Sequence, residues 1–176
     1  MTSQNTKLAT LAFISSLFNP VLAAPFETCP TQAFLSQFND GVTHYKSVNL
    51  ATGKVSILQS DDNLGGDVVN AIAFNEADQY VYGFNKQKLA LTRFDSNFKG
   101  TTLNFTNPPS NNFYVGDIFN NTYYMYRKGL GFFTTNLDPD SADYLTINKL
   151  TGATQNIGPS LNKGPCLMTL CAPVFH

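Results

Sequence analysis

The sequence predicts an all-β chain of antiparallel repeat units, propeller-like and incomplete, with about three blades. Three observations carry that expectation. A strand-and-turn frame recurs along the chain, an aromatic hairpin recurs between its copies, and helical periodicity is nearly absent.

The frame reads bulky–x–x–apolar–Asn/Asp, with a glycine a few residues later. It occurs as Tyr45-Lys-Ser-Val48-Asn49-Leu-Ala-Thr52-Gly53 and again as Tyr144-Leu-Thr-Ile147-Asn148-Lys-Leu-Thr151-Gly152. A looser copy, Leu91-Thr-Arg-Phe94-Asp95 followed by Gly100, lies between them. Each copy reads as a strand entering a tight turn, where the Asx side chain bonds nearby backbone and glycine supplies positive φ.

The hairpin reads Asn70-Ala-Ile-Ala-Phe74-Asn75, a polar link, then Tyr80-Val-Tyr-Gly-Phe84. It returns as Val115-Gly-Asp-Ile-Phe119-Asn120, the link Asn121-Thr122, then Tyr123-Tyr-Met-Tyr126. Aromatic and β-branched residues crowd these segments, as pleated and half-buried surfaces require. After position 30 no window holds apolar residues at i, i+3, i+4 and i+7 without a breaker.

Joined, the two elements give a unit of hairpin, strand, glycine turn and strand. The clearest unit runs from about Asp67 to Phe105. Before it, Ala33–Gln37, Val42–Leu50 and Lys54–Gln59 supply a unit lacking its first strand. A closed propeller often completes such a blade with a C-terminal strand, which removes a sheet edge. A third unit starts near Phe113, and two segments compete for its third strand. Phe132–Asp138 keeps the spacing, whereas Tyr144–Asn148 keeps the Thr-Gly turn. About three blades fall short of the four to eight that close a ring. The expectation is therefore a shortened relative of a longer protein or a compact non-propeller β fold. The expected core is Leu50, Ile57, Ile72, Phe74, Val81, Phe94, Val115, Ile118 and Ile147.

The first 23 of the 176 residues read as a secretory signal, with small residues at Val21 and Ala23 before the expected cleavage. Residues 24–160 then form the repeat domain and 161–176 an irregular tail. No later segment reaches the ~18 apolar residues of a membrane helix. Without residues 1–23 the chain keeps ten Lys/Arg against twelve Asp/Glu, a formal charge of −2. The basic residues are scattered, so neither nucleic acid nor an anionic membrane is an expected partner. Two sequons, at Asn104 and Asn120, fit the secretory route.

Three cysteines remain, Cys29 near the expected mature start and Cys166 and Cys171 near the end. An oxidising compartment favours one disulfide, and Cys29 bonded to either partner would tie the domain's ends together. The third thiol is left for an intermolecular bond, stays free, or reflects an unusual C-terminus.

At these residues the chain resembles an uncharacterised family of secreted, mostly fungal proteins, a domain of unknown function with a propeller-like fold. The likeness rests on the early cysteine with Ala33-Phe-Leu-Ser-Gln37, on Val48-Asn-Leu-Ala-Thr-Gly53, on Ala71–Gly83 and on Tyr114-Val-Gly-Asp117. It spans roughly Phe26 to Gly158. The resemblance implies the fold and brings no catalytic residues. Members of that family are longer, so the chain departs from the pattern towards its C-terminus.

Catalytic constellations are thin. His44 is the one histidine in the body of the chain, and no Gly-x-Ser-x-Gly elbow exists. Cys166, Cys171 and His176 make only a partial zinc set. Asp138, Asp140 and Asp143 surround Pro139 without EF-hand spacing and read as a solvated turn. Asp117 is the one acid that interrupts an apolar strand, with Ile72 as its apparent counterpart in the preceding unit. A charge there is costly unless paired or functional. Backbone, Arg93 or Arg127 are its expected partners.

The 23 Phe and Tyr, with no Trp, suit packed sheets better than a sugar platform. The expected function is accordingly a secreted, non-catalytic binding or cell-surface module for a glycan or protein, with no cofactor and a tendency to self-associate. The alternative is a propeller-type hydrolase, a lactonase or glycosidase, truncated or inactive.

Overall fold

The computed structural model describes residues 23–26, 32–39, 41–60, 67–152 and 166–167. The predicted signal and Cys29, Cys171 and His176 lie outside them, apart from Ala23 of the signal. The chain is all-β, with three antiparallel sheets. The first sheet holds β1 (Gln32–Asn39), β2 (Val42–Asn49) and β3 (Val55–Ser60). The second is built of β4 (Val69–Asn75), β5 (Tyr80–Asn85), β6 (Ala90–Phe94) and β7 (Gly100–Leu103). The third runs β8 (Val115–Phe119), β9 (Thr122–Arg127), β10 (Gly131–Asn136) and the two-residue β11 (Asn148–Lys149). A further pair of residues, β12 (Cys166–Leu167), adds antiparallel to the outer edge of β1, with Cys166 opposite Ser36. That is the position at which the first unit lacked a strand, and pairing there covers an edge. Among the described residues no helix is long and apolar enough to cross a membrane.

Alternation along the strands sends side chains to both faces, and the sheets stack in a row. Between the first and second sheets Phe34, Tyr45, Val81, Phe94 and Phe98 form one buried cluster. Its rings touch throughout, Tyr45 and Phe94 at 4.8 Å between centroids and Phe34 and Phe98 also at 4.8 Å. Between the second and third sheets Tyr82, Phe84, Leu91, Phe113, Tyr123 and Met125 form another. The second sheet is thus buried on both faces, while each outer sheet packs one face on it and carries exposed side chains on the other. Among the described residues no strand pairing or core cluster joins the third sheet to the first.

The repeating frame is read out by its Asx side chains. Asn49 Oδ1 accepts from the Ala51 and Thr52 amides at 3.0 Å, and Asp95 Oδ1 from the Asn97 and Lys99 amides at 2.9 Å. In the third sheet the matching residue is Asn136, whose Oδ1 accepts from the Asp138 amide at 2.9 Å. The third frame is therefore Phe132-Phe-Thr-Thr135-Asn136 on β10. Of the Tyr144–Gly152 copy only the closing turn keeps the frame's geometry, with Gly152 at a φ of 80°. Tyr144 to Ile147 lies in the link to β11, where Leu145 has a φ of 54° and both Leu145 and Ile147 plug into the core. The link is sewn down by Thr106 N to Leu145 O at 3.0 Å and Ile147 N to Asn107 Oδ1 at 2.7 Å.

The expected core needs correction at three positions. Ile72, Phe74, Val81, Phe94 and Ile147 are buried and Ile118 packs against the core. Leu50, Ile57 and Val115 are exposed. Leu50 sits in the turn after β2, and the other two point from the unburied faces of the outer sheets.

Candidate functional site

The unburied face of the third sheet is set by the pairing of its strands. Side chains directly opposite one another share a face. Val115 pairs with Tyr126, which pairs with Phe132, and Leu150 follows through its amide bond to the Phe132 carbonyl at 2.9 Å. Next come Asp117, Tyr124, Thr134 and Asn148, then Phe119, Thr122 and Asn136. The opposite face carries Gly116, Ile118, Tyr123, Met125 and Phe133 towards the second sheet. Phe119 is 67% exposed and Val115 and Leu150 are exposed beside the Tyr126–Phe132 ring pair, whose centroids lie 4.7 Å apart. A sheet face with several exposed apolar side chains in one patch marks an interaction surface more often than a solvated one.

Asp117 stands in the middle of this face and is exposed. Its Oδ1 accepts from the next amide, Ile118, at 2.9 Å. The expectation of a backbone partner therefore holds, and that of an arginine does not. Arg93 lies 4.4 Å over the Tyr80 ring in the second sheet. Arg127 lies 5.4 Å over Tyr114 and donates to Asn112. Ile72 is not the counterpart of Asp117. Asp117 is opposite Tyr124 and Ala73 opposite Tyr82, and a bulge between Asn70 and Ala73 shifts β4 by one residue. Such a slip moves every following side chain to the other face. The structural counterpart is Ala73, buried against the third sheet, so the charge replaces a residue that packs on a neighbour.

The other expected residues do not gather around it. Asn104 is exposed after β7, and Asn120 is exposed at the β8–β9 turn. His44 is half-buried on β2 opposite Gln37, and Cys166 is a backbone position in β12. Two of the acids near Pro139, Asp138 and Asp143, accept local hydrogen bonds. Asp138 Oδ1 accepts from the Asp140 amide at 3.0 Å, and Asp143 Oδ1 from Ser141 at 2.5 Å and Asn136 at 3.0 Å. Those two bonds, Ser141 first, hold the Asp143 carboxyl below its usual range. Among the described residues no three His, Cys, Asp or Glu side chains stand together as a metal would need.

The unburied face of the first sheet is the second open surface. Leu35 pairs with Lys46 and Lys46 with Ile57, while Val48 pairs with Val55. Ile57 is 66% and Val55 52% exposed. Lys46 Nζ donates to Gln37 Oε1 at 2.8 Å on the same face.

Phe119, Tyr124 and Phe132 were not singled out by the sequence, which offered one usable signal. Val115, Asp117 and Phe119 alternate with Gly116 and Ile118, so a charge shares its face with two large apolar residues. No protein-family model matches the chain, and no curated protein matches it.

Proposed function

We propose that the chain is a secreted, non-catalytic binding module, an open propeller-like array of three blades that offers the free face of its third sheet to a protein ligand. The observation that carries this reading is the make-up of that face. Exposed Phe119, Val115 and Leu150 and the half-buried Tyr124 and Phe132 surround one carboxylate, Asp117. Glycoside hydrolysis needs two acids placed across a sugar, and acyl transfer needs a nucleophile with a base. The face instead carries exposed apolar side chains at its two ends with Asp117 between them, and exposed apolar surface of this kind marks interaction sites. A protein ligand suits the exposed apolar Phe119, Val115 and Leu150, with Asp117, Tyr124, Thr122 and Asn136 beside Phe119 to supply polar contacts. The signal reading of residues 1–23 and the exposed sequons at Asn104 and Asn120 support secretion.

The test is expression of the full chain in a secretory fungal host. Protein is expected in the medium, beginning at Ala24 and losing mass on glycosidase treatment. It is expected to leave lactones and aryl glycosides unchanged. Intracellular protein with an intact N-terminus, or turnover of either substrate class, would sink the reading.

A further inference from the structure

We propose that the partner of this face is the open face of the first sheet of a second copy, so that two chains close one ring of six sheets. The inference rests on the reading of the third sheet's face as a binding surface, and it names the occupant.

The repeating frame shows the direction of stacking. Its first position is Tyr45, Leu91 and Phe132 in the three sheets. Tyr45 points into the cluster shared with the second sheet and Leu91 into the cluster shared with the third. Phe132 points onto the open face, where it meets Tyr126. The fourth position is Val48, Phe94 and Thr135. Phe94 faces back to the first sheet, and buried Thr135, opposite Tyr123, faces back to the second. Val48 lies on the open face of the first sheet, in register with Val55. The chain thus contains the same contact twice, a first-position face against a fourth-position face. Among the described residues it leaves one unused half of that contact at each end of the row.

Those two halves complement each other. The third sheet offers Phe119, Val115 and a carboxylate, Asp117. The first sheet offers Ile57, Val55 and an ammonium, Lys46. A contact between unlike faces is heterologous, and it closes only if the rotations add up to a full turn. Rings of four to eight sheets occur, and six is the one multiple of three in that range. Two copies therefore close the ring, with two identical interfaces, and remove the open faces of both chains.

The experiment is sedimentation of the full secreted chain, alone and as variants. A concentration-dependent monomer–dimer equilibrium is expected, with nothing larger. Phe119→Asp and Ile57→Asp are each expected to weaken dimerisation roughly thirtyfold or more, the scale of a central interface residue. Both residues are exposed, so the variants should fold, and circular dichroism checks that they do. Mixing the two variants is expected to restore association, since one intact interface forms between them. Asp117→Lys should weaken the dimer and Asp117→Lys with Lys46→Asp should regain it.

A monomeric wild type at all concentrations overturns the proposal, as does an Ile57→Asp protein that dimerises normally, which would mean a face packed on itself. Polymers that grow with concentration overturn the closed ring. Retention in the cell or hydrolysis of substrate would instead defeat the binding-module reading, and the dimer could still be measured on the same sample.

Discussion

Tyr123 donates its phenolic hydrogen to the main-chain oxygen of Ala71, 52 residues earlier, across the contact between the second and third sheets. Ala71 sits at the bulge of β4 with a φ of 54°, so its carbonyl is turned away from the ladder and out of strand pairing. A buried carbonyl without a partner is costly, and the tyrosine supplies the partner. Tyr123→Phe keeps the ring and removes the donor. It is expected to destabilise the protein by about 1–3 kcal/mol. Denaturant unfolding would show the midpoint falling with an unchanged slope.

Close approach at the same place also explains a glycine. A methyl group on Gly116 would run into the Ala71 oxygen and sit 2.8 Å from the Tyr123 ring. Backbone cannot yield as a flexible side chain can. Gly116→Ala is expected to cost about 1–3 kcal/mol, even though alanine suits a strand better than glycine does. A variant as stable as the wild type would show that the two sheets are not in this contact.

The Asx positions of the frame differ in burial, and their substitutions should differ too. Asp95 is buried and its Oδ1 serves the amides of Asn97 and Lys99, while Asn49 is exposed. Bonds to a charged acceptor out of water are worth more than those of an exposed amide. Asp95→Ala is expected to lower stability by about 2 kcal/mol and Asn49→Ala by roughly 0.5 kcal/mol. Equal losses in thermal or chemical unfolding would contradict the comparison.

These positions also show what was legible in the sequence. The Asx-and-turn chemistry of Asn49 and Asp95 is local, and it located the strands around it. The all-β class and the four-strand unit followed from it. What went astray depended on non-local pairing. Tyr144 to Gly152 carries the frame's letters, but Leu145 and Ile147 are drawn into the core and sewn to Thr106 and Asn107. A residue inserted at the β4 bulge moved Asp117 out of step with Ile72. Ile57 and Val115 obey strand alternation, yet whether the face they share is covered depends on a neighbour that alternation does not describe.

Alkaline stability should report Tyr82. Burial raises its phenol well above the usual 10.0, and the hydroxyl's bond to Asp78 Oδ2, at 2.5 Å, adds to the effect. Below pH 10 both folded and unfolded chains hold the proton and this contribution is constant. Above it the unfolded chain ionises first, so stability falls as pH rises towards the folded phenol's raised value. Tyr82→Phe removes that slope at the expense of the Asp78 bond. The variant is expected to be less stable than the wild type at neutral pH and to lose less between pH 9 and about 11. A wild-type curve that is flat over this range would refute the assignment.

The β8–β9 turn couples the fold to the proposed secretion. Asn120 and Asn121 have φ of 48° and 57°, and Phe119 pairs with Thr122 across them. Two consecutive left-handed residues between paired strands make the turn whose twist suits a hairpin, and asparagine and glycine tolerate it best. Asn121 is also fixed from outside, since its Oδ1 accepts from the buried Asn75 Nδ2 at 2.8 Å. Asn120 has no such duty and stands exposed as the sequon acceptor. Asn120→Gly keeps the backbone conformation, so it is expected to abolish a glycosidase-sensitive mass shift at this site with stability close to that of the unglycosylated parent. Asn120→Ala abolishes the shift equally but must hold a Cβ in the left-handed region, at a cost of roughly 1–2 kcal/mol. Measuring mass and unfolding on the same two secreted variants separates the glycan's role from that of the turn. If alanine and glycine gave equal stability, the turn would not have the backbone described.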